Sequence, residues 1–238
     1  MSKQYETGHA KNVANLQKLI EQLTVYVSYS PAVPALELPN LQLLYENAIL
    51  ALNKTEEKRN ANKNAIYIRQ EYFKILKKTC TRIVSHLEIL GLPKGIMEQA
   101  KSINKSIQGN SKKVKSTNST PPNTISTSRQ SYTQQATNFG ILLQLLGTIP
   151  SYNPNLNELK LTTLTTYYNN MMTSIQAVDK SEAEFNNQII ERNRILYDEE
   201  TGLYSIAQNT KKYVKSVYGA ISPEYFNVSK IKFTTYTM

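Results

Sequence analysis

The stretch Asn40–Leu90, NLQLLYENAILALNKTEEKRNANKNAIYIRQEYFKILKKTCTRIVSHLEIL, decides the fold. It runs for about fifty residues without a proline or glycine. Apolar residues fall at Leu41, Leu44, Ala48 and Leu52, then at Ala65, Ile68, Tyr72, Ile75, Cys80, Ile83, Leu87 and Leu90. Steps of three and four place them on one helical seam. A polar middle, Thr55–Asn64 (TEEKRNANKN), interrupts the seam without supplying a helix breaker. The spacing predicts one amphipathic helix, about 75 Å long at a rise of 1.5 Å per residue.

Working outward, residues 9–27 predict a first helix with Val13, Leu16, Leu19, Ile20 and Leu23 on one face. The turn Ser28-Tyr29-Ser30-Pro31 and the extended run Pro34–Pro39 lead into the long helix, where Pro39 fits just ahead of it or in its first turn. On the other side, Gly91-Leu92-Pro93 reads as a stop and restart, followed by a short helix over residues 96–107. The run Gln108–Gln130 (QGNSKKVKSTNSTPPNTISTSRQ) has no apolar periodicity and reads as a flexible basic linker.

Beyond the linker the chain repeats itself at a constant offset of 123, as Pro31 against Pro154 shows. Asn15/Asn138, Leu19/Leu142, Tyr29/Tyr152, Leu36/Leu159, Leu41/Leu164, Tyr45/Tyr168 and Arg69/Arg192 share that register. So long an ungapped register is hard to reach by period alone and reads as an internal duplication. It slips after Arg192, by an insertion near Asp198–Gly202, and recovers with Tyr213-Val214 through Gly219 against Ile83-Val84 through Gly91. A second long helix is expected over Thr162–Tyr218, on a seam through Leu164, Tyr167, Met171, Ile175, Val178, Phe185, Ile189, Leu196, Leu203, Ile206, Tyr213 and Val217, with Gly202 as a kink point. Ser222-Pro223 reads as an N-cap with proline at the first helical position, and Lys230–Met238 as an extended tail. The fold expected is all-α: module 1 over residues 1–107, the linker over 108–130 and module 2 over 131–238. The long helices should pack antiparallel in an elongated bundle with pseudo-twofold symmetry.

The 238 residues, 40% of them hydrophobic, are enough to build a real core. The polar N-terminus lacks a signal-peptide core. The longest nearly apolar run, Phe139–Ile149, is about half of the ~20 residues a membrane span needs. A cytoplasmic protein without a transmembrane segment is the expectation. A net charge of +10 is unevenly placed: residues 1–130 hold 19 Lys and Arg against 9 acidic residues, whereas residues 131–238 hold 9 of each. Such asymmetry suits an acidic partner, and a Lys- and Asn-rich composition also produces it without one.

Chemistry-bearing patterns are sparse. One cysteine excludes a disulfide framework and a multi-cysteine metal site. Cys80 lies near the apolar seam and reads as a small hydrophobe, although Lys77, Lys78 and Arg82 would lower its pKa if it were exposed. His9 is at the N-terminus and His86 on the long helix, neither with a second histidine at ligand spacing. No phosphate loop or nucleophile elbow occurs. The expectation is therefore no enzyme, no metal and no cofactor. One stripe remains: Lys74, Lys78 and Arg82 at i, i+4 and i+8, flanked by Lys77 and preceded by Arg59 and Lys63. It reads as a contact for nucleic acid or another polyanion through phosphates, or as the solvated face of a long helix. Sixteen tyrosines without a tryptophan suit core rims and, weakly, a protein–protein surface.

The segment Lys211–Ala220 with Ser222-Pro223-Glu224-Tyr225 resembles the C-terminal signature of a family of uncharacterised helical proteins from Bacteroidetes. The turn Ser151–Pro154 and the segment Ala100–Ile103 resemble the same family. The resemblance implies a bacterial origin and a duplicated helical build, and no activity. The leading functional reading is a non-enzymatic structural or assembly protein that acts through helix-face contacts with protein, as a homo-oligomer or with an assembly partner. The alternative is a polyanion-binding protein using Arg59, Lys63, Lys74, Lys77, Lys78 and Arg82.

Overall fold

The computed structural model describes residues 7–109 and 131–235, and all of the regular elements among them are helices. They are α1 (Thr7–Thr24), α2 (Leu38–Lys74), α3 (Leu76–Glu88), α4 (Lys94–Gln108), α5 (Tyr132–Gly147), α6 (Leu161–Tyr197), α7 (Leu203–Tyr218) and α8 (Pro223–Ser229). Single 3-10 turns, Pro34–Leu36 and Asn157–Leu159, precede α2 and α6. Most of the run read as a linker, residues 110–130, lies outside the described residues.

The stretch read as one helix from Asn40 to Leu90 is two helices, because α2 ends at Lys74 and α3 runs from Leu76 to Glu88. Ile75 breaks it, at φ −92° and ψ −11°, and α3 starts anew. No proline or glycine is responsible. At the break the Ile75 carbonyl accepts both the Thr79 N–H (3.0 Å) and the Thr79 hydroxyl (3.1 Å). The break also corrects the seam. Phe73, Leu76, Cys80, Ile83 and Leu87 are buried, whereas Ile68 and Ile75, both placed on the predicted seam, stand exposed.

The second long helix divides too. Asp198 Oδ1 accepts the N–H groups of Glu200 (3.1 Å) and Thr201 (2.8 Å) and the Thr201 hydroxyl (2.8 Å), which ends α6 in an Asx turn. Gly202 is buried where a Cβ would stand 2.4 Å from Asp198 N, so the turn closes only around glycine. On α7, Val214 is buried instead of Tyr213 and Val217. Ser222 does cap α8 as its sequence predicts, its side chain accepting the Tyr225 N–H at 3.0 Å ahead of Pro223.

Two compact units result, and neither coincides with a sequence module. The first unit takes residues 1–61 and 182–238, the second residues 62–181. The first therefore holds α1, most of α2, the end of α6, α7 and α8. Its core includes Leu16, Leu19, Leu23, Leu41, Leu196, Leu203 and Val228. The second holds the end of α2, α3, α4, α5 and the start of α6, around Leu76, Ile83, Leu87, Ile107, Phe139, Leu142 and Leu164. Within it α2 and α6 run antiparallel: Ser181 Oγ donates to Asn62 Oδ1 (3.1 Å), and Tyr167 OH donates to the Tyr72 carbonyl (2.5 Å). Residues 109–131 connect α4 to α5, two helices of the same unit that pack on each other. The helices α2 and α6, not this segment, pass from one unit to the other.

The two units repeat each other's details. α2 and α6 are both 37 residues long and start 123 positions apart. Tyr29 OH donates to the Leu36 carbonyl (2.5 Å) and Tyr152 OH to the Leu159 carbonyl (2.8 Å), the same bond at the same offset. Each ring meets a second ring edge-on, Tyr213 at 5.4 Å and His86 at 5.5 Å. That pairing matches α3 to α7 in sequence at an offset of 127, at which Leu76, Cys80, Ile83, Val84 and Leu87 correspond to Leu203, Ala207, Thr210, Lys211 and Val214, each buried in its own unit. The four extra positions are the difference between the single residue joining α2 to α3 and the five joining α6 to α7. The sequence match of Ile83 with Tyr213 is thus corrected by three positions.

Candidate functional site

The six basic residues singled out in the sequence do not form one free stripe. Arg59 belongs to the first unit, where it pairs with Glu56 (3.1 Å) and stacks 5.7 Å from the centre of the Phe185 ring. Lys63 is exposed on α2. Lys74 pairs with Glu71 at 3.4 Å. Lys77 Nζ donates to the Gln108 carbonyl (2.9 Å) while Gln108 Nε2 donates to the Lys77 carbonyl (2.8 Å), a clasp that ties the end of α4 to α3. Arg82 Nη1 reaches Glu158 Oε2 at 2.6 Å and, with Lys78 nearby, holds that carboxyl below its usual range.

Lys78 and Arg82 line a groove of about 410 Å³ in the second unit. Ile75, Leu164 and Tyr167 form its floor, and Lys78, Arg82 and Glu158 its charged rim. The floor exists because the break at Ile75 leaves that side chain about half exposed beside the mouth. Tyr167 is fixed there by its bond to Tyr72 and by an edge-on contact with Phe139, with ring centres 5.5 Å apart. Burial pushes its phenol pKa well above the ordinary value. The segment Ile75–Arg82 carries three cations and no acid. The arrangement can hold a short acidic segment with an apolar side; it offers no nucleophile paired with a base.

A second feature, in the first unit, escaped the sequence reading. Asn12 Nδ2 donates to the Thr234 carbonyl (2.8 Å), and the Thr234 N–H donates to Asn12 Oδ1 (3.0 Å), as a neighbouring strand would do. Asn15 Nδ2 donates to the Lys232 carbonyl (2.6 Å), and Lys211 Nζ donates to the Ile231 carbonyl. These contacts hold the described part of the extended tail against α1 and α7. Asn12, Asn15 and Lys211 are all buried, and burial lowers the Lys211 pKa. Beside them His9 Nδ1 lies 2.6 Å from Tyr197 OH, and the buried Arg192 donates twice to Asn193 Oδ1 (3.1 and 2.8 Å). The available signal was Arg192 and Asn193 next to Leu196, polar residues in a helix stretch that otherwise buries apolar ones.

One end of the first unit is apolar and uncovered. Tyr26 OH donates to the Glu224 carbonyl (3.1 Å) and Ser28 N–H to Tyr218 OH (3.0 Å), which ties the turn after α1 to α8 and to the end of α7. Val25 and Val27 on that turn, Ile221 on the turn after α7 and Phe226 on α8 stand in solvent, Val27 and Ile221 fully so.

Cys80 is wholly buried, with its thiol pKa pushed up to about 12 by burial. It packs as a hydrophobe. His86 is half-buried against Tyr152. Among the described residues no group of three His, Cys, Asp or Glu side chains could hold a metal ion, and no helix is long and apolar enough to cross a membrane. Comparison with protein-family models, with curated proteins and with solved structures returns no match.

Proposed function

We propose that this chain is a non-enzymatic helical assembly protein that works through contacts of its helix faces and turns with protein, copies of itself included. The observation that carries the reading is the exposed apolar side chains of the first unit, Val25 and Val27 after α1, Ile221 after α7 and Phe226 on α8, on segments tied together by hydrogen bonds. Apolar side chains gathered on one surface gain free energy only when another surface covers them. The same reading takes the two units as products of one internal duplication. The equal lengths of α2 and α6 and the matched tyrosine bonds support that origin. The likeness of residues 211–225 to helical proteins of Bacteroidetes belongs to this reading and brings no activity with it.

Light scattering behind size-exclusion chromatography, at two protein concentrations, tests it. The mass should exceed the 27.0 kDa of one chain and rise with concentration. A mass of one chain at every concentration would contradict self-association. The second reading, polyanion binding, is supported by the second unit, which holds 15 basic against 5 acidic residues. It is weakened by the partners that already occupy Arg59, Lys74, Lys77 and Arg82. Its sign in the same run is ultraviolet-absorbing nucleic acid that elutes with the protein at low salt and leaves it at high salt.

A further inference from the structure

We propose that the groove between Lys78, Arg82 and Glu158 receives the acidic turn Asp198–Thr201 of a second copy of this chain. The proposal rests on the assembly reading above and names the surfaces that carry it. Charge complementarity comes first. The turn holds three consecutive acids, Asp198, Glu199 and Glu200. Asp198 is spent on closing the turn, accepting three hydrogen bonds within it. Glu199 and Glu200 are left exposed and directed outward by a turn whose shape is fixed. The groove that would meet them is lined by Lys78 and Arg82, and its one carboxylate, Glu158, is already paired with Arg82.

A second observation comes from the chain's own repeat. At the offset of 127 that matches α3 to α7, Lys78 corresponds to Ser205 and Arg82 to Asn209. In the first unit the acidic turn meets the start of α7, where Ser205 Oγ donates to the Glu199 carbonyl at 2.6 Å. One unit therefore supplies an acidic segment of its own beside the first turn of this helix. The other lacks those four residues and presents cations and an open groove in their place. Each chain carries one turn and one groove, at opposite ends of α6. A contact between unlike surfaces is head-to-tail, so it adds copies one after another instead of closing as a symmetric pair. Its strength should fall with salt, because the groups that meet lie at the surface.

The test compares four full-length samples by light scattering: the wild type, Glu199→Lys with Glu200→Lys, Lys78→Glu with Arg82→Glu, and an equimolar mixture of the two variants. Circular dichroism confirms the helix content of each variant. The wild type should associate, and its association constant should fall about tenfold or more at about 1 M salt, where the screening length is about 3 Å. Each variant alone should lose association about tenfold or more. The mixture should recover it, because the basic turn of one variant now faces the acidic groove of the other. The recovered species should alternate the two variants and grow past two chains as concentration rises, since the turn of each variant is complementary to the groove of the other. A wild type that associates while both variants associate equally well would overturn the groove and leave the assembly reading standing. A wild type that stays at one chain throughout would overturn both.

Discussion

His9 shows how a residue read as a frayed terminus becomes part of a packed site. Its Nδ1 lies 2.6 Å from Tyr197 OH, and burial, followed by the charge of Arg192, holds its pKa below the ordinary value. The folded protein then binds fewer protons at His9 than the unfolded chain does. The stability this site contributes is complete above the unfolded pKa of about 6.5 and is lost as pH falls through the lower folded value. Urea melts at about pH 7 and about pH 5.5 should show the wild type losing more stability on acidification than His9→Gln, which cannot titrate. Equal losses would remove His9 from the account. Arg192 teaches the same lesson. Its identity with Arg69 was visible at the offset of 123, but its burial was not, because sequence period cannot tell a buried polar side chain from one in water.

The outer ends of the helical stretches were legible in the sequence to within a few residues, and the breaks inside the two long ones at Ile75 and Asp198–Gly202 were legible only as the kink point at Gly202. Composition and period mark where a seam exists; they do not say where it changes helix. The sequence seam fails at Ile68 and Ile75, which stand exposed while Phe73 and Leu76 fill the core, and holds at Tyr72, which packs against that core. At the other junction the sequence marked Gly202 as a kink and Asp198–Gly202 as an insertion. The structure turns both into one closed loop, with Asp198 as its cap and Gly202 as the residue without a side chain to obstruct it. Gly202→Ala places a methyl 2.4 Å from Asp198 N and 2.5 Å from Asp198 O, both backbone atoms that cannot swing away. The variant should be destabilised by more than about 1 kcal/mol. A chemical melt within a few tenths of a kcal/mol of wild type would show that the turn is looser than its contacts imply. The basic stripe was equally legible as a set of residues. What the sequence hid was that most of its cations already have partners, leaving a groove and not a ridge.

At the scale of the whole molecule, the matching register at an offset of 123 was legible and the packing of the matched stretches was not. A register of 123 shows that two stretches match; it does not say which half of each packs with which. The structure interlaces them. Each compact unit takes the first part of one sequence module and the last part of the other, joined through α2 and α6. The assignment of surfaces depends on this. All ten excess positive charges fall in the second unit with the groove, while the first unit, with the acidic turn and the apolar end, holds 13 basic and 13 acidic residues. The most direct test severs the chain between α4 and α5 and follows helical melting of the two halves, apart and mixed. If the units are interlaced, neither half alone can complete a core: each should melt without a sharp transition, and an equimolar mixture should regain cooperative melting near that of the intact chain. Two halves that each melt cooperatively alone, with mixing adding nothing, would contradict the interlaced build and the surfaces assigned from it.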